Sequence, residues 1–227
     1  MPITPTEQQF FWQLRWSLRD VVALVVVSIV LGLVFYLWDW AYQLLNRFLG
    51  DVISGLFYGI WYWAGLILAY AIRKPGAALL GEFGAALVEY AIGAPLGLLV
   101  LVLGFVQGLA LEVVFAWARY NHWGLVTMAV AGAMAGLADF AVSLVAPPLL
   151  FEQLSRLGEV EGAFQVSFVA PPFLLAQRSG GVIVATLCTI VLSGAVLGGV
   201  VSKILGDRLL AIPAARNFLG TQLSQGG

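Results

Sequence analysis

Long apolar blocks run through this chain, and the polar residues collect in the gaps between them. Six stretches are long and apolar enough to read as membrane-spanning helices, at about residues 21–45, 52–72, 75–92, 94–118, 123–146 and 180–202, since a helix needs roughly 20 mostly apolar residues to cross the hydrocarbon core. The second and sixth contain no charged residue. The third is the shortest, carries Glu82 and Glu89, and reads either as a full pass or as a re-entrant one. Pro75 at its start fits a first helical turn, where the missing N–H costs nothing.

Lysines and arginines orient the chain. With six passes, one side receives both termini and the even connections, and it holds Arg15, Arg19, Arg73, Lys74, Arg119, Lys203, Arg208 and Arg216. The other side holds Arg47, Arg156 and Arg178. That asymmetry puts the N and C termini in the cytoplasm. The longest connection, residues 147–179, is then an outer loop. It contains Glu152, Glu159, Glu161 and two proline pairs, Pro147–Pro148 and Pro171–Pro172. Its apolar part at 163–177 reads as a lid over an outer cavity or as a loop resting on the membrane.

Composition makes the lipid assignment firm. Of 227 residues, 61% are hydrophobic and 10% charged, with a mean hydropathy of +0.96, so a soluble surface could not be assembled. The first apolar run is too long for a cleaved signal peptide and lacks a small-residue cleavage site, so it is expected to be retained. The expected fold is therefore all-α and integral to the membrane: one compact six-helix domain spanning residues 1–227. Four glycine pairs at helical spacing, Gly55/Gly59, Gly104/Gly108, Gly132/Gly136 and Gly194/Gly198, predict closely approaching helices or a groove for a partner helix.

Charge and motifs narrow the chemistry. A net charge of −1 offers no basic field for nucleic acid. One cysteine and one histidine, His122, make no multi-histidine metal site. No phosphate-binding glycine loop is present, so any ATP that drives this protein is hydrolysed by another chain. No internal repeat suggests an inverted-repeat transporter.

The charges inside the six stretches are all acidic: Asp39, Glu82, Glu89, Glu112 and Asp139. A carboxylate at a helix centre costs about 2.5–3.5 kcal/mol on insertion scales, so such residues face a packed interior, a wet cavity or a bound cation. Depth along each pass sorts them. Glu89, Asp139, Gln107, Tyr58 and Trp61 fall in the outer half, with Glu82 seven residues below Glu89 on one helix face. Those six are the candidate ligand-binding residues. Asp39 reads as solvated at the interface near Arg47, and Glu112 as structural, close to Arg119. His122, beside Trp123 at a helix start, also reads as structural. Trp38, Trp40 and Trp63 fit an interfacial aromatic belt equally well.

Three segments carry a resemblance. The run Tyr58-Gly-Ile-Trp-Tyr-Trp63, the segment Ile72-Arg-Lys-Pro-Gly-Ala-Ala-Leu-Leu-Gly-Glu82, and Gln107-Gly-Leu-Ala-Leu-Glu112 through Tyr120 resemble the YkoE family, over about residues 18–205. That family comprises the membrane-embedded substrate-binding (S) components of energy-coupling factor transporters for thiamine or its hydroxymethylpyrimidine part. The resemblance implies six helices, cytoplasmic termini, an outward-facing vitamin site and a plasma membrane of bacterial or archaeal type. It also implies a transmembrane coupling (T) protein and ATP-binding cassette ATPase subunits as partners. No catalytic cofactor is expected, and the expected ligand is thiamine. Its thiazolium charge and aminopyrimidine ring suit an acidic, aromatic pocket. Hydroxymethylpyrimidine or another vitamin is the alternative within this class. An intramembrane enzyme acting on lipid would need a nucleophile with a partner, yet Ser28, Ser143 and Ser193 have no histidine at depth. A non-transporting assembly subunit would leave the carboxylates unexplained. The Ala-xxx-Ala docking pattern of some S components is not clear in the first helix, where Val27 follows Ala23.

Overall fold

Ser17 starts the first helix by accepting from the Asp20 backbone at 3.2 Å while the Asp20 carboxylate takes the Ser17 N–H at 2.7 Å, so two otherwise orphaned donors are satisfied reciprocally. The computed structural model describes residues 16–156 and 179–219. Helix α1 covers Leu18–Ser54 and is broken at Gly50, whose φ of 73° and ψ of 173° are not helical. A 3₁₀ segment, Gly55–Tyr62, leads into α2, Trp63–Ile72. Then come α3, Ala77–Ala91, α4, Leu99–Trp117, and α5, Leu125–Arg156. Helix α6, Gly180–Ser193, passes through a π-helical turn, Gly194–Val200, into α7, Val201–Ala211, and α8, Pro213–Leu219. No strand occurs among the described residues.

The break at Gly50 reverses the chain. Trp61 donates to Asp39 at 3.1 Å although the two are 22 positions apart, which in a straight helix would separate them by roughly 33 Å. Asn46 closes the corner with bonds to Ser54 Oγ at 2.7 Å and Asp51 at 3.4 Å. The returning stretch becomes the centre of the bundle. All nine residues from Ala64 to Ile72 are buried, and around them pack α1, α3, α4, α5 and the π-helical turn. A stretch enclosed on every side has no use for charge, which is why none occurs there.

Glycines let the neighbours approach. A Cβ at Gly132 would collide with the Gly194 carbonyl, and one at Gly59 with the Ser193 carbonyl. At Gly55 it would meet Thr189, at Gly104 Ala86, and at Gly108 the Leu79 backbone. All four glycine pairs are thus consumed by contacts within the chain, and they are not free to form a groove for a partner helix. The π-helical turn also frees the Leu197 carbonyl, which accepts from Trp63 Nε1 at 2.8 Å.

The surface is apolar where a soluble protein would be polar. Val22, Val26, Ile29, Val30, Leu33 and Leu37 of α1 are exposed, as are Val102, Phe105, Leu109 and Val113 of α4. Among the described residues, four stretches have the length and composition to cross a membrane: Leu18–Ile72, Leu99–Trp117, Leu125–Leu144 and Gly180–Ala211. Helix α3 is not among them. Its 15 residues span about 22 Å, short of the roughly 30 Å hydrocarbon core. Helix α5 continues through Pro147 and Pro148 to Arg156, so the chain is still helical where an outer loop was expected to begin. Glu159, Glu161, Pro171, Pro172, Arg178 and the apolar part at 163–177 lie outside the described residues.

The α2–α3 corner is tied on three sides. Arg73 takes a left-handed conformation, φ 54°, and its guanidinium lies over the rings of Tyr70 and Trp123 at 5.0 and 5.7 Å. Lys74 reaches Asp20 at 2.5 Å in a buried pair, 4% and 2% exposed. Glu112 of α4 accepts from Gly76, Ala78 and Leu79 at 2.6, 3.1 and 3.3 Å, so the first N–H groups of α3 meet a carboxylate as the helix dipole favours. Tyr120 donates to the same carboxylate at 2.6 Å. Burial and the adjacent Glu112 charge push its phenol above the ordinary value and keep it a donor. The structural reading of Glu112 holds, with backbone amides in place of Arg119 as its partners. His122 is exposed, with Nδ1 3.2 Å from the Ala118 carbonyl.

Candidate functional site

At the opposite end of α3 from this corner, five elements leave a cavity of about 710 Å³, counting its open mouth. Helix α1 supplies Phe35, Asp39, Tyr42 and Gln43, and the 3₁₀ segment supplies Tyr58 and Trp61. Glu82, Ala86 and Glu89 come from α3, Leu103, Gly104 and Gln107 from α4, and Asp139 from α5. Pro95 and Leu96, in the α3–α4 turn, form its rim. All six candidate residues read from the sequence, Glu82, Glu89, Gln107, Trp61, Tyr58 and Asp139, line this one space.

Helical spacing explains the placement on α3. Glu82, Ala86 and Glu89 recur at four and three residues, so they stand on one face. Ala86 and Gly104 are small, and their contact brings α3 against α4 while leaving room above for a ligand. Glu82 is 2% exposed and accepts from Gly65 N at 2.7 Å. Glycine is required at 65 because a Cβ there would sit 2.9 Å from the Ala78 carbonyl. Asp139, fully buried, accepts from Gln107 Nε2 at 3.0 Å and Tyr62 Oη at 3.3 Å.

Asp39 departs from the interfacial reading. It is 4% exposed, its Oδ1 accepts from Trp61, and Arg47 is on the exposed surface. The cause is the reversal at Gly50, which lays the 3₁₀ segment over a residue that would otherwise face water. Asp39 Oδ2 and Gln43 Oε1 are buried in this wall without a hydrogen-bond donor among the described residues. The carboxyls of Asp39 and Glu89 lie within hydrogen-bonding reach of each other.

The aromatic side is a cluster of interlocking rings. Trp61 meets Tyr42 edge-on at 4.7 Å between centroids and Tyr58 at 4.9 Å, and Tyr42 meets Tyr58 at 5.4 Å. Trp38 braces Trp61 from behind at 6.3 Å. Of the three tryptophans that fitted an aromatic belt, Trp40 is exposed, while Trp38 packs on Trp61 and Trp63 bonds the Leu197 carbonyl.

The cavity thus presents four carboxyl groups, Asp39, Glu82, Glu89 and Asp139, against one aromatic wall, with no lysine, arginine or histidine among the described residues of its lining. Such a space favours a flat organic cation by charge and by cation–π attraction. Among the described residues, no group of three or more His, Cys, Asp or Glu side chains is arranged to hold a metal ion. Tyr42, Gln43 and the rim residues Pro95 and Leu96 were missed from the sequence. Tyr42 lies three residues beyond Asp39 on the same face of α1, which was the available signal.

The profile of the family described as "ABC-type cobalt transport system, permease component" matches residues 19–138. The chain is 34% identical over 194 residues to a Bacillus subtilis (strain 168) protein named "Putative HMP/thiamine permease protein YkoE", covering 86% of this chain and 84% of that one. A solved structure titled "Crystal structure of an S-component of ECF transporter" superposes with a TM-score of 0.72 at 32% identity, covering 89% of this chain and 90% of the other.

Proposed function

Because the chain belongs to the YkoE family of substrate-binding components of energy-coupling factor transporters, we propose that it captures thiamine from outside the cell and delivers it inward. It is a multi-pass membrane protein and a substrate-binding subunit, not an enzyme. In this reading the thiamine pyrimidine stacks against Trp61 and Tyr58, and one carboxylate accepts from its 4-amino group. A second carboxylate neutralises the thiazolium. The observation that carries the reading is the pairing of four buried carboxyls with an aromatic wall in a single cavity, with no basic side chain among the described residues that line it.

The finer topology belongs to the same proposal. The 55-residue stretch Leu18–Ile72 would be about 80 Å long as one straight helix, more than twice the hydrocarbon core. Its reversal at Gly50 supports two passes there, and counting α3 as a short pass gives six within a single domain. Both termini would then be cytoplasmic in a bacterial or archaeal-type plasma membrane. The partners would be a transmembrane coupling protein and the ATPase subunits that hydrolyse ATP. They would act from the side of the α2–α3 corner, with the cavity facing out.

Thermal unfolding of the detergent-purified chain tests the ligand. A panel of thiamine, hydroxymethylpyrimidine, other vitamins and Co²⁺ is added in turn, with Glu82→Gln and Glu89→Gln alongside. A true ligand at 100 times its Kd adds about 2.7 kcal/mol to apparent stability. Thiamine is expected to stabilise the wild type and to lose its effect in at least one variant. Equal stabilisation by hydroxymethylpyrimidine would assign the carboxylates to the pyrimidine. Stabilisation by Co²⁺ alone, or by nothing in the panel, would overturn the proposal.

A further inference from the structure

The four carboxyls are unequally supplied with donors. Asp139 has Gln107 and Tyr62, and Glu82 has the Gly65 amide. Among the described residues Asp39 has Trp61 on one oxygen and no donor on the other, and the Glu89 carboxyl of the same wall lies within hydrogen-bonding reach of it. Two adjacent carboxylates cannot both be ionised in a space this buried without a cation. The titratable groups around them are Tyr42 from α1, Tyr58 and Tyr62 from the 3₁₀ segment, Glu82 from α3 and Asp139 from α5. Helix α4 contributes only the uncharged Gln107. None of these supplies positive charge.

From this cluster we infer that Asp39 and Glu89 share a single proton when no ligand is bound, and that an entering organic cation takes the place of that proton. The inference rests on the thiamine reading above. The O–H bond of the shared proton breaks, its electron pair stays on the carboxylate oxygen, and the proton passes through the mouth to water. One positive charge enters and one leaves, so the net charge of the cavity is unchanged. The ligand is then selected for permanent charge: a neutral pyrimidine leaves the proton in place. It also follows which way pH acts. Because binding releases a proton, affinity for thiamine rises with pH, by up to about tenfold per unit, and levels off once the empty pair is itself ionised. Affinity for an uncharged ligand has no such slope.

Isothermal titration of the full chain in detergent, with thiamine in buffers of low and high ionisation enthalpy, counts the protons. The expected result is about one proton released per thiamine bound, none with hydroxymethylpyrimidine above its own protonation range, and a smaller count per bound thiamine in Asp39→Asn and Glu89→Gln. If thiamine binds with a heat independent of buffer, the exchange is wrong and the thiamine reading survives. If the full proton count persists in both variants, the pair is not its source and the inference falls. If thiamine does not bind the wild type at all, the parent reading fails and takes this one with it.

Discussion

Glu112 and Gly76 are 36 residues apart, yet the carboxylate of one holds the amide of the other at 2.6 Å. That bond, with those to Ala78, Leu79 and Tyr120, makes a single side chain of α4 the cap of α3. The consequence is mechanical. Helix α3 carries Glu82 and Glu89 in the cavity wall, so fixing its far end fixes their positions.

Replacing Glu112 by alanine strips an acceptor from several donors at once. A buried donor left without a partner costs about 1–3 kcal/mol, so Glu112→Ala is expected to lower the thermal midpoint clearly. Glu112→Gln keeps one acceptor oxygen and should cost less. Tyr120→Phe removes one donor and should cost about 0.5–1.5 kcal/mol. Unfolding curves of the three variants in detergent give the order, and an unchanged midpoint for the alanine variant would show that the cap is dispensable.

Two ion pairs in this chain should behave oppositely. Lys74 and Asp20 are 4% and 2% exposed, whereas Lys203 and Asp207, four residues apart at 2.6 Å, are 18% and 50% exposed. Lys74→Met takes the lysine charge from a buried Asp20 that keeps its bonds from Ser17, and breaking a buried pair costs about 3–5 kcal/mol, so the variant should be severe. An exposed pair is worth under about 1 kcal/mol, and Lys203→Met should be mild. Midpoints compared at low and high salt check this. Equal losses in the two variants would contradict the difference in burial.

The structure explains why some of this was legible in the sequence. Carboxylates are so costly in lipid that their depth along each apolar run was enough to bring Glu82, Glu89 and Asp139 into one place. Aromatic residues at helical spacing did the same for Tyr58 and Trp61. Asp39 was misplaced although a reversal between the stretches 21–45 and 52–72 was expected. Nothing local says that the segment after Gly50 returns as a 3₁₀ helix packed over Asp39, with Trp61 bonded to it. The glycine pairs show the converse. Their spacing predicted close contact, but spacing alone does not tell an internal contact from an external one.

Gly132 decides that question experimentally. A Cβ there would strike the Gly194 carbonyl and stand 2.8 Å from Gly199 N, both backbone atoms that cannot swing aside. Gly132→Ala is expected to cost about 1–3 kcal/mol or more through overpacking. Gly181→Ala has nothing within 4 Å and lies in the first turn of α6, where reduced freedom of the unfolded chain should add about 0.4–1 kcal/mol. Opposite signs in the two midpoints are expected. If Gly132→Ala is neutral, the α5 contact with the π-helical turn is looser than its geometry shows.

Trp61 joins the two halves of the cavity, since its ring packs on Tyr42 and Tyr58 while its N–H serves Asp39. Substitution can separate these roles. Trp61→Phe keeps an aromatic face and removes the donor, so thiamine affinity should fall about tenfold, the equivalent of one hydrogen bond to a charged group. Trp61→Leu removes the face as well and should fall further, because the stacked pyrimidine then loses a ring contact worth about 0.5–1.5 kcal/mol. Hydroxymethylpyrimidine has the same ring and no permanent charge, so it should lose less than thiamine in Trp61→Phe and about as much as thiamine in going from phenylalanine to leucine. Titration of each ligand against wild type, Trp61→Phe and Trp61→Leu gives the comparison. If phenylalanine and leucine weaken thiamine equally, the ring contributes no stacking and Trp61 acts only through Asp39.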